Sequence, residues 1–182
     1  MSINEYRLVT ERLIVRPFTQ GDLNDLFEII GDEETMRFLE PPYDLEKTRA
    51  FLNSFCIEKR GALAAEQRSD GRVIGYILFN RHAKDVFELG WVFNRGFWRR
   101  GFAFEASNAV LDNAFGKIKA KTVFSETADT VKTAALMRKL GMRFKRTVRS
   151  DSTDSANETE LYLYELTDSD WRSMRRRAVK QR

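Results

Sequence analysis

The spacing of apolar positions changes along the chain. Alternation over residues 7–18 predicts a strand or a bent hairpin that ends near Pro17. Apolar residues then recur every three or four positions over 22–31 and 44–56, as in amphipathic helices. In the first helix, the expected inner face carries Leu23, Leu26, Phe27 and Ile30, with Asp22 as N-cap. In the second, Asp44 is the expected N-cap and Cys56 a small core residue. A short helix, ended by two prolines, is expected between them.

The middle of the chain has the period of strands. Segments 62–68, 72–82 and 86–93 predict three strands, joined by turns near 69–71 and 84–85. A helix (102–115), a strand (121–126), a helix ending at Gly141, two strands and a terminal helix capped by Asp168 complete the pattern. The order β-αα-βββ-α-β-α-ββ-α predicts an α/β (α+β) fold. Its sheet is mixed and mostly antiparallel, with about seven strands, in a single domain over residues 1–182.

Composition narrows the class of protein. The chain has 182 residues, 42% of them apolar, which suits one packed domain. One cysteine and one histidine exclude an intramolecular disulfide and a cysteine- or histidine-based metal site. No apolar run reaches the roughly 20 residues of a membrane span, and the polar N-terminus does not resemble a signal peptide. These features predict a soluble cytoplasmic protein.

The positive charge is concentrated at the end of the chain. The net charge is +4, but the tail over 171–182 holds six basic and no acidic residues, so residues 1–170 sum to 4 − 6 = −2. Such a tail is either a solvated helix end or an attraction for nucleic acid or an acidic partner. The nearly neutral remainder, without a basic patch interleaved with aromatic residues, argues against nucleic acid.

The segment GFWRRGFAFEA (96–106) stands where a predicted strand passes into a predicted helix. A helix N-terminus offers free N–H groups and a positive dipole end, and glycine lets the backbone approach a ligand, so this junction is a candidate phosphate site. Arg99 and Arg100 would add attraction. The dinucleotide pattern GxGxxG is absent. The glycine spacing of a P-loop is met, but Phe102 and Ala103 stand where lysine and Ser/Thr are required, which excludes nucleoside triphosphate hydrolysis.

The six residues Trp98-Arg99-Arg100-Gly101-Phe102-Ala103 resemble the acetyl-CoA turn Q/R-x-x-G-x-G/A of the GNAT N-acetyltransferases. FWRRGFAFEA is similar to the YWGKGYATEA of the RimJ/RimL-like branch, and MRKLGMRF to its EKLGF. The resemblance covers nearly the whole chain, from ERLIVRPF to YELTDSDW. It implies a GNAT fold, acetyl-CoA as co-substrate, no metal, and a primary amine as acceptor, either a protein N-terminus or a small amine. It also makes a homodimer plausible.

The same resemblance implies where acetyl-CoA binds. Its pyrophosphate would be held by the backbone amides of Arg99, Arg100, Gly101, Phe102, Ala103 and Phe104. The strand near Trp91, Val92 and Phe93 would splay from its neighbour and pair with the pantetheine arm through its main chain. Thr130 occupies the place of an asparagine that often contacts the cofactor in the family. The aromatic side chains themselves are expected to pack in the core.

Acetyl transfer requires a neutral amine, an oxyanion donor and protonation of the leaving thiolate. Glu88 is the predicted base, acting through water, although it could instead be a solvent-facing carboxylate or a partner of Arg81. Glu126 is a second candidate, whereas Glu105 is expected to make structural hydrogen bonds. The main chain near Val92 would supply the oxyanion donor. Thr133 is the predicted acid or sulfur-binding group, with a hydrogen bond to a preceding carbonyl as the alternative.

Met137 stands where many family members have the tyrosine that protonates the thiolate. A non-catalytic acyl-CoA sensor or partner-binding module is therefore the alternative function. The acceptor is expected near the first two helices, the segment FLEPPYD (38–44), and the polar loop 150–157.

Overall fold

The computed structural model describes residues 6–149 and 160–180, so the predicted acceptor loop at 150–157 lies outside the described residues. The strands of the described part are β1 Leu8–Val9, β2 Leu13–Pro17, β3 Ala62–Gln67, β4 Val73–Ala83, β5 Val86–Phe93, β6 Thr122–Thr127, β7 Arg143–Arg149 and β8 Glu160–Thr167. The helices are α1 Leu23–Ile30, α2 Glu33–Met36, α3 Leu45–Phe51, α4 Phe102–Asn113, α5 Lys132–Lys139 and α6 Asp168–Lys180.

The described strands form one mixed sheet in the order β1-β2-β3-β4-β5-β6-β8-β7. The β5–β6 pair is parallel, whereas β1–β2, β2–β3, β3–β4, β6–β8 and β7–β8 are antiparallel. The predicted α/β class and the mostly antiparallel sheet are thereby confirmed. The sheet has eight described strands rather than about seven, because residues 8–17 form a two-stranded hairpin with Leu8 opposite Val15.

The chain divides into two compact units. The first contains the described residues of Met1–Asn80 together with Gly90–Val110. Its core packs α1, together with Leu52 and Cys56 after α3, against β3, β4 and Val92 of β5. The second contains the described residues of Arg81–Leu89 and Leu111–Arg182, with a core that includes the fully buried Phe115 and Leu166.

Two details of α1 differ from the prediction. Phe27 is 37% exposed, and Ile29 is fully buried in its place. Asp22 does not cap the helix through its side chain. Its carboxylate instead accepts two hydrogen bonds from Arg16, at 2.8 and 2.9 Å, and one from the Thr19 N–H at 2.7 Å. The half-buried guanidinium of Arg16 therefore sets the position of this carboxylate, and a helical pattern in the sequence does not reveal such a partner.

Helix α3 begins as predicted and then changes its winding. The Asp44 side chain accepts from the Lys47 N–H at 2.7 Å, and Cys56 is 2% exposed. From Leu52 to Glu58 the chain is π-helical, and a second π-helical segment, Ala114–Ile118, follows α4. Because a π turn adds a residue, it shifts which side chains face inward.

The basic tail is tied to the second unit at its beginning. The Trp171 ring stacks on Phe115 with ring centroids 5.5 Å apart, and its Nε1 donates to Asp112 at 2.9 Å. Arg175 forms an ion pair with the same carboxylate. Trp171 and Arg175 are thus packed and paired, whereas Arg176 and Arg177 are exposed.

Candidate active site

The turn after β5 is fixed to the end of its strand by side-chain hydrogen bonds. Asn94 Oδ1 accepts from the Gly96 N–H at 2.9 Å and starts a single 3-10 turn over Arg95–Phe97. The indole Nε1 of Trp98 then donates back to the Phe93 carbonyl at 2.7 Å. Trp98, which stands at the Q/R position of the motif Q/R-x-x-G-x-G/A, therefore holds the turn against the strand that precedes it.

The backbone of the turn has a left-handed conformation at Gly101, which favours glycine over other residues. Arg99 has φ +60° and Gly101 has φ +83°, both in the left-handed region. The first hydrogen bond of α4 runs from the Glu105 N–H to the Gly101 carbonyl at 3.0 Å. The amides of residues 102–104 precede it and form the N-terminal turn of a 12-residue helix. Such a succession of left-handed residues and a helix N-terminus is suited to an anion.

A carboxylate on the inner side of α4 supports the turn. Glu105 accepts from the Thr10 hydroxyl at 2.5 Å and from the Arg12 N–H and Nε, both at 2.7 Å. Burial alone would raise the pKa of Glu105, but these hydrogen bonds outweigh it and lower the pKa below its ordinary value. Arg12 also donates to the Arg100 carbonyl at 2.9 Å. The expected structural role of Glu105 is thus visible as a brace between β2 and the turn.

Aromatic rings surround the cations of the turn. The Arg12 guanidinium lies 4.3 Å from the centroid of the Phe102 ring, and Arg100 lies 5.3 Å from the rings of both Phe97 and Phe102. Phe102 is buried, whereas Arg99, Arg100 and Gly101 are exposed. The turn therefore presents its main chain and two guanidinium groups to solvent, over an aromatic base.

The predicted pantetheine strand is the second half of β5. Val92 and Phe93 are buried and Trp91 is half-buried, so their side chains pack as expected. The parallel pairing of β5 with β6 joins Val86–Glu88 to Thr122–Phe124. β5 continues past this pairing to Phe93.

The candidate base lies in the second unit, where Glu88 on β5 is paired with Phe124 on β6. Glu88 is half-buried, and burial is the main cause that raises its pKa above the ordinary value. The charge of Glu126 raises it further, while His82 lowers it. The His82 ring lies edge-on to Phe124 at 5.1 Å. A carboxylate with a raised pKa is a better match to proton transfer near neutral pH than an ordinary one.

Arg81, which the sequence offered as a structural partner for Glu88, lies over the Phe87 ring, with its guanidinium carbon 5.8 Å from the ring centroid. The second candidate base, Glu126, is exposed. The two carboxylates thus belong to one electrostatic group on neighbouring strands, with Glu88 the more buried of the two.

The candidate acid, Thr133, is hydrogen-bonded to Asp129, whose side chain caps the start of α5. Asp129 accepts from the N–H groups of residues 131, 132 and 133 at 3.0 to 3.1 Å, and from the Thr133 hydroxyl at 3.2 Å. Burial would raise the pKa of Asp129, but these hydrogen bonds lower it overall. The hydroxyl therefore bonds a preceding carboxylate rather than a preceding carbonyl. Its role toward the sulfur stays a prediction. An aspartate just before a helix is a capping signal, and Asp129 carries it in the sequence.

Two other residues near the candidate acid have contrasting surroundings. Thr130 is exposed just before α5. Its contact with the cofactor stays a prediction. Met137, at the position of the family's tyrosine, is 1% exposed. Its thioether is therefore part of the core.

The first unit contains a cavity of about 180 Å³. Its lining is mainly apolar and includes the rings of Tyr43, Phe51, Phe55 and Tyr76, together with Val92 of β5. The predicted acceptor segment 38–44 contributes Leu39, Glu40 and Tyr43 to this lining. A wider depression of about 620 Å³ lies elsewhere in the same unit, but its lining is charged and ion-paired, for example Arg95 to Asp32 at 3.2 Å.

The described residues contain neither a candidate metal site nor a helix that could span a membrane. No group of three or more His, Cys, Asp or Glu side chains is arranged to hold a metal ion in those ranges. Within the same ranges, none of the helices has both the length and the apolar character needed to cross a bilayer.

The mixed sheet and its cationic, glycine-containing turn at a helix N-terminus define an α/β protein whose turn is suited to an anion. The sequence profile of the acetyltransferase (GNAT) domain matches residues 12–143, more than half of the chain. The chain therefore belongs to the GNAT family and is an acetyltransferase.

Individual relatives agree with this assignment. The uncharacterized N-acetyltransferase YnaD of Bacillus subtilis (strain 168) is 24% identical over 167 residues, which cover 90% of this chain and 98% of YnaD. A GNAT-family acetyltransferase from Bacillus anthracis has a similar structure, with a TM-score of 0.82, 23% identity, and coverage of 90% of this chain and 99% of the other. A Vibrio cholerae structure, named as a candidate ribosomal-protein-serine acetyltransferase, has a TM-score of 0.78 at 16% identity and covers 90% and 98% of the two chains.

Proposed function

We propose that this acetyltransferase uses acetyl-CoA as its acetyl donor and a primary amine as acceptor, by direct attack of the amine on the thioester. The observation that carries the proposal is the turn after β5. It combines two left-handed residues, Arg99 and Gly101, with the N-terminus of α4 and two exposed guanidinium groups. This chemistry fits a pyrophosphate such as that of CoA, whose two phosphate groups each carry a negative charge.

In this proposal the amides of Arg99 to Phe104 bind the pyrophosphate, and Arg99 and Arg100 add charge. The main chain of Trp91–Phe93 binds the pantetheine arm as an added strand would. This role is supported by the continuation of β5 beyond Glu88, the last residue of its parallel pairing with β6. An N–H near Val92 would then stabilise the oxyanion of the transition state. Thr130 is a further proposed contact of the cofactor.

Glu88 is the proposed base. An ammonium group has no lone pair, so a proton must leave the amine, and Glu88 would accept it through a water molecule. The amine nitrogen then forms a bond to the thioester carbon, the carbon–sulfur bond breaks, and the thiolate takes up a proton. Thr133 is the proposed partner of the sulfur, for which its hydroxyl must turn away from Asp129. With Met137 buried, proximity and loss of the amine proton carry most of the catalysis.

The proposed acceptor is a protein N-terminal amine or a small amine. The likeness of FWRRGFAFEA to the RimJ/RimL-like branch supports the first, as does the name of the Vibrio cholerae neighbour, which assigns a ribosomal protein as its acceptor. The cytoplasmic location and the homodimer stay predictions, as does the single domain over 1–182.

The test is a calorimetric titration with acetyl-CoA and with CoA, followed by thiol release with a panel of amines and N-terminal peptides. Micromolar binding and amine-dependent thiol release are expected. Glu88→Gln should abolish most of the release at neutral pH while leaving the affinity for acetyl-CoA unchanged. Glu58→Gln, which changes an exposed glutamate of the first unit, is the matched control and should behave as wild type. Binding of acetyl-CoA without thiol release with any amine would favour the alternative function, a non-catalytic acyl-CoA sensor. Absence of acetyl-CoA binding would refute the proposal.

A further inference from the structure

The cavity of the first unit is an aromatic compartment built around Phe51. The ring of Phe51 stacks on Phe55 with centroids 5.0 Å apart, meets Tyr43 edge-on at 5.7 Å and faces Tyr76 at 6.3 Å. Such offset and edge-to-face arrangements accept a further ring in the same geometries. Neither the phosphate turn nor the carboxylate group of Glu88 uses these residues.

The size of the cavity corresponds to one ring. An engineered apolar cavity of about 150 Å³ in another protein binds benzene. The volume here is about 180 Å³. Pockets for drug-sized ligands are larger, roughly 300–1,000 Å³. The compartment therefore has room for a single aromatic ring.

Glu40 and the Tyr43 hydroxyl, two polar groups that line the cavity, are paired. Glu40 accepts from the Tyr43 hydroxyl at 2.7 Å and lies 3.4 Å from Lys47 Nζ. That ammonium lies 3.7 Å from the centroid of the Tyr43 ring. Burial raises the pKa of both Tyr43 and Tyr76, so their hydroxyl groups stay protonated. Because Lys47 balances the carboxylate, the cavity favours an uncharged group over a second ammonium, such as that of a polyamine.

The cavity reaches both the surface and the strand of the proposed donor site. Leu39, one of the lining residues, is 57% exposed. Val92, another lining residue, belongs to the stretch of β5 whose main chain is proposed to hold pantetheine. A group that enters past Leu39 therefore lies against the strand segment on which the acetyl donor is proposed to bind.

We infer that this cavity binds an aromatic ring carried by the acceptor amine, and that the enzyme selects ring-bearing primary amines over small aliphatic amines and polyamines. The inference rests on the proposed acetyl transfer and specifies its acceptor. The expected preference is large, because even one methylene in an apolar pocket changes kcat/KM by about 10- to 200-fold. We therefore expect kcat/KM for 2-phenylethylamine to exceed that for ethylamine by roughly 100-fold or more.

The test compares two exposed leucines. Leu39→Trp places an indole at the mouth of the cavity, whereas Leu45→Trp makes the same change at a leucine that is 43% exposed and does not line it. Leu39→Trp should lower the ratio of kcat/KM for 2-phenylethylamine to that for ethylamine about 10-fold or more. Leu45→Trp should leave this ratio unchanged. Saturation-transfer NMR of 2-phenylethylamine in the presence of CoA gives a readout that does not depend on turnover.

The outcomes separate this inference from the proposed function. Thiol release with equal kcat/KM for both amines, or a ring preference that Leu39→Trp leaves intact, overturns the inference and keeps the acetyl transfer. No thiol release, with an NMR signal that Leu39→Trp removes, supports the ring site and counts against the proposed function. No NMR signal with the wild-type protein overturns the inference in either case.

Discussion

Replacing Gly101 by alanine tests the phosphate turn most directly. Gly101 has φ +83°, and a Cβ added to it would lie 3.4 Å from Arg12 Nη2, which is ordinary contact. The change is therefore conformational, since a residue with a Cβ in the left-handed region costs about 1–2 kcal/mol. For a chain of this length each kcal/mol lowers Tm by about 2–4 °C, so a fall of roughly 2–8 °C is expected.

The effect on acetyl-CoA binding should exceed what the loss of stability explains. If the alanine turns its own peptide to relieve the strain, at least one N–H of the turn moves away from the phosphate. A hydrogen bond to a charged group contributes about 1.5–3 kcal/mol, and each 1.4 kcal/mol is a factor of ten. The Kd for acetyl-CoA should therefore rise roughly 10- to 150-fold, as measured by calorimetry.

Gly71→Ala is the matched control. Gly71 has φ +75° in the β3–β4 turn, and a Cβ there would meet nothing within 4 Å. It should lower the free energy of unfolding in urea by the same 1–2 kcal/mol without changing the Kd. If Gly101→Ala loses stability as Gly71→Ala does but binds acetyl-CoA with the wild-type Kd, the main chain of this turn does not hold the phosphate.

Three further changes address the base and the packing. Removal of the negative charge in Glu126→Gln should lower the pKa of Glu88 and move the acid limb of the kcat/KM–pH profile to lower pH. Asp22→Asn should reduce the free energy of unfolding by about 2–4 kcal/mol at neutral pH, because it breaks a two-point ion pair with the half-buried Arg16. Gly141→Ala should cost about 1–2 kcal/mol in urea, since an alanine at φ +87° is strained, whereas the end of the Met174 side chain can move away from the new methyl group.

Each of these has an outcome that would contradict it. The profile of Glu126→Gln should differ from wild type only in its acid limb, and coincident profiles would remove the coupling of the two carboxylates. The pKa of Asp22 is lowered, because the hydrogen bonds from Arg16 and Thr19 outweigh burial, so its stabilisation is present above the ordinary pKa of 3.8 and disappears as pH falls below it. Wild type and Asp22→Asn should therefore converge in acid, and a difference that is constant with pH would be inconsistent with the ion pair. A Gly141→Ala protein as stable as wild type would contradict the backbone strain at this position.

The features of the fold that depend on near neighbours could be predicted from the sequence. Asp44 caps α3, and Gly141 ends α5 with a positive φ, because both effects are settled within a few residues. The exchange of Phe27 for Ile29 on the inner face of α1 could not be predicted, since both satisfy a helical period. The π-helical segment Leu52–Glu58 is a response to packing, for which the chain carries no local signal.

The difference between local and long-range effects also explains which part of the candidate site could be predicted from the sequence. The turn is local: a glycine, two arginines and a helix start lie within a few positions, so the pattern and the backbone agree. The environment of Glu88 is not local, because Glu126 is 38 positions away and reaches it only through the parallel register of Glu88 with Phe124. A sequence shows that a glutamate is present on a strand, but the pKa that would make it a base is set by its burial and by the neighbouring strand. Residue type therefore nominates Glu88, and the register and burial are what favour it over Glu126.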